Sequence, residues 1–155
     1  MKKVIGVWVA AMLLPLCLAS GVQAGGDMLV EAVSLNVVPS GKMASAFMVI
    51  TNQGSDDDRL MSCTVKEIAS ARCEIHNVED GKMFPVEGVD IAAGKTVLLK
   101  KGSYHIMVMD IADPLSDTAT VVLNFSKGGA VEVSAVVKKA EGGMGGMGGM
   151  MKSGH

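Results

Sequence analysis

The segment HNVEDGKMFPVEGVDIAAGKTVLLKKGSYHIMVM, residues 76–109, alternates short apolar runs with turn residues and holds two of the three histidines. Its final run has strand character, and residues two apart in a strand project from the same face of the sheet. We therefore expect the side chains of His105 and Met107 to stand side by side. His76 lies in a second strand-like run, and Met83 follows the turn dipeptide that ends it.

These four side chains are two imidazoles and two thioethers, with no carboxylate among them. Thioether ligands select Cu(I), and imidazole suits copper in general. The alternative is that His105 is a partly buried histidine with core methionines beside it, and Met109, on the same strand parity, agrees with that alternative because methionine fills cores well. We interpret His76, Met83, His105 and Met107 as a copper site with a preference for Cu(I).

Working outward from this segment, the chain reads as strands separated by turns, with no convincing helical period. Residues 28–38 and 44–52 are rich in β-branched and apolar residues, although Leu29, Ala32 and Val33 interrupt a clean alternation in the first of them. Strands spaced by roughly 8–12 residues with turn signals between them are typical of an all-β sandwich or barrel.

Two local features of this β pattern lead to specific expectations. Residues 96–100 and 104–110 read as the two strands of a hairpin, with Lys101-Gly102-Ser103 as its turn. The run that contains Pro85 suits an edge strand or a bulge, because proline has no N–H to donate to a neighbouring strand.

Residues 1–24 have the organisation of a secretory signal peptide. Lys2 and Lys3 precede an apolar run, and Val22-Gln23-Ala24 forms a small-x-small cleavage site, so cleavage is expected after about Ala24. An uncleaved membrane anchor is the alternative, but the apolar run is short for a comfortable span. A lipoprotein site at Cys17 is a weaker alternative, because the bulky Leu16 precedes it.

The composition of the exported part excludes several classes of function. Removing residues 1–24 takes away two lysines and no acidic residue, so the formal net charge changes from −2 to about −4. An acidic surface with few aromatic residues argues against a nucleic-acid partner. No second run of about 18 apolar residues exists, so no stable membrane insertion is expected after cleavage. The core is expected to be aliphatic.

Two cysteines, Cys63 and Cys73, remain after cleavage, and an even number in an exported chain suggests a disulfide. Two buried thiols or a pair of additional copper ligands would give the same pattern. Cys73 with His76, Met83 and His105 would also supply the ligands of a blue-copper electron carrier. Strand parity opposes that reading, because residues three apart point to opposite faces.

The composition changes abruptly after Lys139. The sequence EGGMGGMGGMMKSGH cannot bury a core, and its Gly-Gly-Met repeat predicts a disordered tail over residues 140–155. Thioethers three residues apart on a flexible chain are suited to wrapping around a soft ion. The candidate auxiliary metal ligands are Met144, Met147, Met150, Met151 and His155, and through them the tail is also a candidate for Cu(II).

Catalytic motifs are missing from the sequence. No serine lies in a nucleophile elbow, and there is no HExxH, P-loop or dinucleotide fingerprint, so we do not expect an enzyme. The acidic run at residues 56–59 reads most simply as a solvated corner, since a calcium loop would need alternating oxygen ligands and a closing Glu.

The spacing of the candidate ligands resembles that of a known family. Met83, 21 intervening residues and then His105-Ile106-Met107 are similar to the ligand pattern of the periplasmic copper chaperones of the PCuAC family. The ITNQGSDDDRL corner, the EIH triplet that ends at His76 and the closing VVLNFSKGGAVEVSAVV agree with it. The resemblance spans about residues 28–138.

This resemblance implies a cupredoxin-like Greek-key β-sandwich or barrel over residues 25–139. It implies that the protein binds Cu(I) in the periplasm and delivers it to the assembling copper centres of cytochrome c oxidase. The implied ligands are His76, Met83, His105 and Met107. The implied partner is the copper-accepting subunit of the oxidase or another periplasmic copper chaperone. A copper-storage or resistance protein that uses the Met-rich tail is the alternative function.

Overall fold

The structure of the protein is a computed structural model, which describes residues 23–139. The predicted signal peptide, apart from its last two residues, and the predicted Gly/Met-rich tail lie outside the described residues. Within the described range, no helix is long and apolar enough to cross a membrane. The regular elements of this part of the chain are β1 (Gln23–Gly25), β2 (Met28–Val37), β3 (Met43–Asn52), β4 (Asp58–Val65), a 3₁₀ helix (Lys66–Ile68), β5 (Arg72–Glu79), β6 (Lys82–Val86), β7 (Val89–Ile91), β8 (Thr96–Leu99), β9 (His105–Met109), β10 (Thr118–Phe125) and β11 (Gly129–Lys139).

The strands form one open sheet in the order β6-β5-β9-β3-β2-β11-β10-β4-β7, with β1 added to β2 and β8 added to β3. The sheet curls over a single core, so that β4 and β5, far apart in the strand order, come into contact. The predicted all-β sandwich or barrel is confirmed. The core is aliphatic as expected, and Phe125 is the one aromatic residue among the buried hydrophobic residues of the described chain.

The interrupted alternation of the first long strand marks a β-bulge. The register of β2 against β3 shifts between Glu31 and Ser34, and Ala32 adopts a left-handed φ of 52°. A bulge bends its strand and increases the local twist. The bulge lies in β2, the strand between β3 and β11, where such a bend helps the sheet to fold over the core.

The predicted hairpin of residues 96–110 is wrong. Strands β8 and β9 do not pair with each other; both pair antiparallel with β3, one after the other. The five residues between them form a loop in which the Lys100 N–H donates to the Tyr104 carbonyl at 2.8 Å. The same turn residues occur where the chain makes a loop between two strands that pair with one common neighbour and where it reverses into a hairpin. The sequence pattern therefore could not distinguish these two arrangements.

A disulfide joins Cys63 of β4 to Cys73 of β5. It holds the two parts of the folded sheet together at the point where they meet. Because the closed loop is short, the disulfide is expected to stabilise the fold by about 3 kcal/mol, mainly through the unfolded chain. Cys73 packs against the core, whereas His76 lies on the opposite face of β5, so the parity argument from the sequence is confirmed.

The acidic run at residues 56–59 is a solvated corner only in part, because Asp56 and Asp57 are exposed but Asp58 is not. Asp58 is buried, and its carboxylate accepts hydrogen bonds from the backbone N–H groups of Arg59, Lys127 and Gly128 at 2.7–2.9 Å. A Cβ on Gly128 would lie 3.1 Å from this carboxylate, so a residue without a side chain lets the turn approach it. Asp58 thus ties the β10–β11 turn to the start of β4.

The hydrogen bonds of Asp58 make the free energy of unfolding depend on pH. Burial opposes ionisation of Asp58, but the backbone N–H groups outweigh it, and the pKa of Asp58 falls below its ordinary value of 3.8. A carboxylate with a lowered pKa contributes stability above its ordinary pKa, and that contribution is lost as the pH falls through the folded-state pKa. We expect Asp58→Asn to lower the free energy of unfolding by about 2 kcal/mol at neutral pH, because N–H donors lose a charged acceptor.

Urea unfolding from pH 7 to pH 2 measures this effect. The difference between the wild-type protein and Asp58→Asn should shrink as the solution becomes more acidic. Asp56→Asn, at an exposed position of the same acidic run, is the matched control and should change stability little. A difference that stays constant down to pH 2 would contradict the role assigned to Asp58.

Candidate metal centre

The centre lies on the outward face of the sheet, where β5 and β9 run side by side. These strands pair antiparallel, with His76 directly opposite His105 and Glu74 directly opposite Met107. On β9, Ile106 and Val108 point into the core, so His105 and Met107 share the other face. The two-residue alternation of each strand and the register between them therefore place both imidazoles and one thioether on the same face of the sheet.

Both histidines are buried although they lie on the outward face. The exposed fraction is 8% for His76 and 6% for His105, whereas Met83 is 53% exposed. Met83 lies on the edge strand β6, opposite Val78 and diagonal to His76. The ring of Phe47 meets that of His105 edge-on, with centroids 6.5 Å apart. The imidazoles thus form the base of the centre, and Met83 reaches it from the edge.

The contacts of His105 fix which ring nitrogen is free. Its Nδ1 lies 2.8 Å from the carbonyl oxygen of Ser103, which can only accept, so Nδ1 carries the hydrogen. In the neutral ring Nε2 then has a free lone pair, and it lies 3.2 Å from the sulfur of Met83. Nitrogen and sulfur ligands of one tetrahedral metal ion are about 3.5 Å apart when the bond lengths are those of zinc. The pair is therefore spaced close to the distance for shared coordination.

His76 has the opposite arrangement. Its Nε2 lies 3.0 Å from a carboxylate oxygen of Glu74, so Nε2 donates and Nδ1 keeps the lone pair. Nδ1 is buried and has no hydrogen-bond partner among the described residues. Such an orphaned atom is uncommon in a folded protein, and the binding of a metal ion is one of the usual reasons for it. This observation fits a metal ligand.

Met107 is half-buried between β3 and β5. The hydroxyl of Ser45, directly opposite it on β3, lies 3.3 Å from its sulfur and donates to it. A thioether sulfur is a weak acceptor, so this contact orients the side chain without consuming both lone pairs. Met109 lies on the same outward face and is not part of the core, so it does not support the alternative in which core methionines lie beside His105.

The charge around the centre comes from a short network. Arg72 donates to Asp110 at 2.7 Å and to Glu74 at 2.9 Å, and Glu74 in turn holds His76. The carboxylate of Asp110, and after it that of Glu74, raises the pKa of the Arg72 guanidinium. Two carboxylates against one guanidinium leave this edge of the centre negative, which favours a bound cation.

The ligand types restrict the metal that the centre would hold. In the described part of the chain, no three His, Cys, Asp or Glu side chains come together as a metal site. The contact of Met83 with His105 would instead place a methionine sulfur beside an imidazole at a metal ion held here. Thioether and imidazole ligands without a thiolate favour a soft or borderline ion over calcium or magnesium.

The structure places the four candidate ligands predicted from the sequence, His76, Met83, His105 and Met107, on one face of the sheet. His105 contacts Met83 and its ring centroid lies 6.0 Å from that of His76, whereas the sulfur of Met107 lies against Ser45. Cys73 stays out of the centre, because it is bonded to Cys63 and faces the core. The predicted auxiliary ligands of the tail lie outside the described residues.

Sequence reasoning missed two residues of the centre, Glu74 and Ser103. Each lies two residues before a histidine, Glu74 before His76 and Ser103 before His105. Strand parity could have placed Glu74 on the face of His76. The Ser103 carbonyl could not have been found, because its direction depends on the loop between β8 and β9.

The two hydrogen bonds to histidine predict opposite tautomers. At a pH where both rings are neutral, His105 should carry its hydrogen on Nδ1, the less common position, and His76 on Nε2. The ¹⁵N chemical shifts of the metal-free protein distinguish the two forms. An Nε2–H tautomer at His105 would rule out the lone pair assigned to this atom.

Comparison with known proteins places the chain among characterised folds. A family model described as "Putative lipoprotein LpqE-like" matches residues 7–137. A comparison with the curated proteins found no match.

Several solved structures are similar over most of their length. The copper-bound PCuAC domain from PmoF2 has 22% sequence identity and a TM-score of 0.63, with 75% of this chain and 96% of that chain covered. The apo PCuAC domain from PmoF1 has 22% identity and a TM-score of 0.66, with coverage of 75% and 97%. The solution structure of CuI-DR1885 from Deinococcus radiodurans has 24% identity and a TM-score of 0.59, with coverage of 70% and 76%. At these identities the similarity shows a shared fold.

Proposed function

The chain belongs to the LpqE-like family, and from this premise we propose that it is an exported Cu(I)-binding metallochaperone. Its cargo would be held by His76, Met83, His105 and Met107. The observation that carries the proposal is the contact of His105 Nε2 with the Met83 sulfur at 3.2 Å, together with the neighbouring His76 ring, whose centroid lies 6.0 Å from that of His105 and whose Nδ1 has no partner among the described residues. The copper-bound PmoF2 domain and CuI-DR1885, which have the same fold, support it.

The chemistry of the four ligands favours Cu(I). All four are neutral when the imidazoles are neutral, so a monovalent ion would give the site a single positive charge, next to the Glu74 carboxylate. Thioether sulfur selects Cu(I) over harder ions. Glu74 would act as the outer partner of a metal-bound histidine, an arrangement that fixes the ring orientation and makes the ligand more basic.

The exposure of the ligands suggests how the ion would be exchanged. Three ligands come from interior strands of the sheet, whereas Met83 is on the edge strand and more than half exposed. Met83 would therefore leave the ion first, and a ligand of the acceptor would take its place before the remaining bonds break. The ion would pass through shared coordination without release into water, and no substrate would be chemically changed.

The destination of the copper follows from the resemblance to the PCuAC chaperones. We propose the assembling copper centres of cytochrome c oxidase, through the copper-accepting subunit or another periplasmic copper chaperone. This role requires export to the periplasm, with the signal peptide cleaved after about Ala24. Strand β1 begins at Gln23, so cleavage there would leave Gly25 as its one remaining residue.

The blue-copper alternative is withdrawn. Such a centre requires a cysteine thiolate, and Cys73 is engaged in the disulfide with Cys63. The same bond removes both cysteines as additional copper ligands.

The site predicts a large loss of affinity when its β9 ligands are removed. We expect His105→Ala combined with Met107→Ala to abolish tight Cu(I) binding, because two of four ligands go together; each tenfold loss in affinity corresponds to about 1.4 kcal/mol. Both side chains lie on the outward face, so the circular dichroism spectrum should stay that of a β protein. Competition with a Cu(I) chelator of known affinity measures the change.

Met61→Leu is a matched control for this experiment. Met61 is an exposed methionine on β4, outside the candidate centre, and its replacement should leave Cu(I) binding unchanged. Undiminished tight binding in a tail-deleted form of the His105/Met107 variant would overturn the assignment.

Deletion of residues 141–155 separates delivery from the storage alternative. In a chaperone, the tail with Met144, Met147, Met150, Met151 and His155 would assist capture or handover, so the truncated protein should keep the tight site of the β-domain and lose weaker sites. A storage protein would lose most of its bound copper. Metal analysis of the two forms after dialysis gives the stoichiometry.

A further inference from the structure

A row of methionines continues along the sheet beyond the candidate centre. Met109 follows Met107 by two residues on β9 and lies on the same outward face. Met43 lies directly opposite Met109 on β3, and Met43 is 39% exposed. Neither Met43 nor Met109 belongs to the core of the described domain, so packing of the interior does not explain them.

The register places these three side chains next to one another on one face of the sheet. Side chains directly opposite on antiparallel strands have Cβ atoms about 5 Å apart. A strand rises about 3.4 Å per residue, so Met107 and Met109 are about 7 Å apart along β9. Methionine has three rotatable bonds and adapts to irregular space. Three thioethers at these spacings can turn toward a single ion.

The charges near this row are compatible with a cation. The guanidinium of Arg72 lies 3.9 Å from the sulfur of Met109, but it is bound by the carboxylates of Asp110 and Glu74. Arg72 is therefore a paired cation beside Met109, and its charge is balanced by these two carboxylates.

The row ends where the chain leaves the β-domain. Lys139, the last described residue, pairs with Val37 on β2, and Val37 pairs with Ala44, the neighbour of Met43. Beyond Lys139 the sequence continues into the Gly-Gly-Met repeat. Met43 and Met109 thus lie between the start of this methionine-rich sequence and the main centre.

We propose that Met43 and Met109, together with Met107, form a second soft-metal station that relays Cu(I) between the tail and the main centre. Met107 is the shared ligand, so an ion can move from one station to the other while it stays bound to sulfur. Met83, His76 and His105 would hold the ion at the main centre while Met107 engages the second station. The relay rests on the proposed function, because its destination is the main centre.

Titration with Ag(I), a redox-inert soft ion that also favours thioethers, tests this proposal on the full exported chain. With ¹³C-methyl-labelled methionine, the first equivalent should shift the resonances of Met83 and Met107. Further Ag(I) should shift those of Met43 and Met109, with an affinity at least about tenfold weaker because thioethers alone are then available. The resonance of Met61 should stay in place throughout.

Substitutions identify the station directly. Met43→Leu with Met109→Leu keeps the side-chain volume and should lower the capacity for Ag(I) by about one equivalent while the first equivalent binds as before. Met61→Leu is the control and should keep the full capacity. Unchanged capacity in the Met43/Met109 variant, or unmoved Met43 and Met109 resonances at excess Ag(I), would overturn the second station.

These results are separable from failure of the proposed function. If Met83 and Met107 shift at the first equivalent but Met43 and Met109 never do, the main centre stands and the relay is wrong. If Met43 and Met109 shift while Met83 and the His76 and His105 rings do not respond, the main centre is wrong as a metal site. The proposed relay would then have no destination, so it would be wrong as well.

Discussion

The pairing of β5 with β9 is the constraint on which the centre depends. It sets His76 against His105, and the core side chains Ile75, Ile106 and Val108 hold its register. A slip of one residue would turn the polar and thioether face into the core and bring these aliphatic residues out. Burial of the apolar face therefore places the candidate ligands of these two strands on the other face, and interactions among the candidate ligands are not needed to hold the strands in register.

The candidate centre combines buried histidines with an exposed methionine, so that it could both hold a metal ion and exchange it. Both imidazoles are buried, and each donates a hydrogen bond, His105 to the Ser103 carbonyl and His76 to the Glu74 carboxylate. The edge strand β6 contributes the one strongly exposed candidate ligand, Met83. The disulfide between Cys63 and Cys73 joins β5 to β4. The histidine side of the centre is thus fixed to the closed part of the fold, and the methionine side faces solvent.

The sequence predicted what local periodicity determines. The shared face of His105 and Met107, the all-β class and the edge position of the strand with Pro85 all follow from residues close together in the chain. The prediction of a hairpin over residues 96–110 was wrong, because turn residues do not indicate which strand the following segment will pair with. The sequence does not reveal that Asp58 is buried, since its partners Lys127 and Gly128 are distant in sequence. The roles of Glu74 and Ser103 likewise depend on the folded geometry.

The two histidines have the same side chain but different hydrogen-bond acceptors, and this difference fits their positions in the sheet. His105 donates to a neutral backbone carbonyl in the loop between β8 and β9, whereas His76 donates to a carboxylate. A carboxylate partner makes an imidazole a stronger ligand than a carbonyl partner does. His76 would then be the firm ligand, and His105, in contact with the exposed Met83, the ligand nearer the exchange side. An ion held unequally in this way can be given up stepwise, from Met83 through His105 to His76, and a symmetric closed cage of four equal ligands would lack this order.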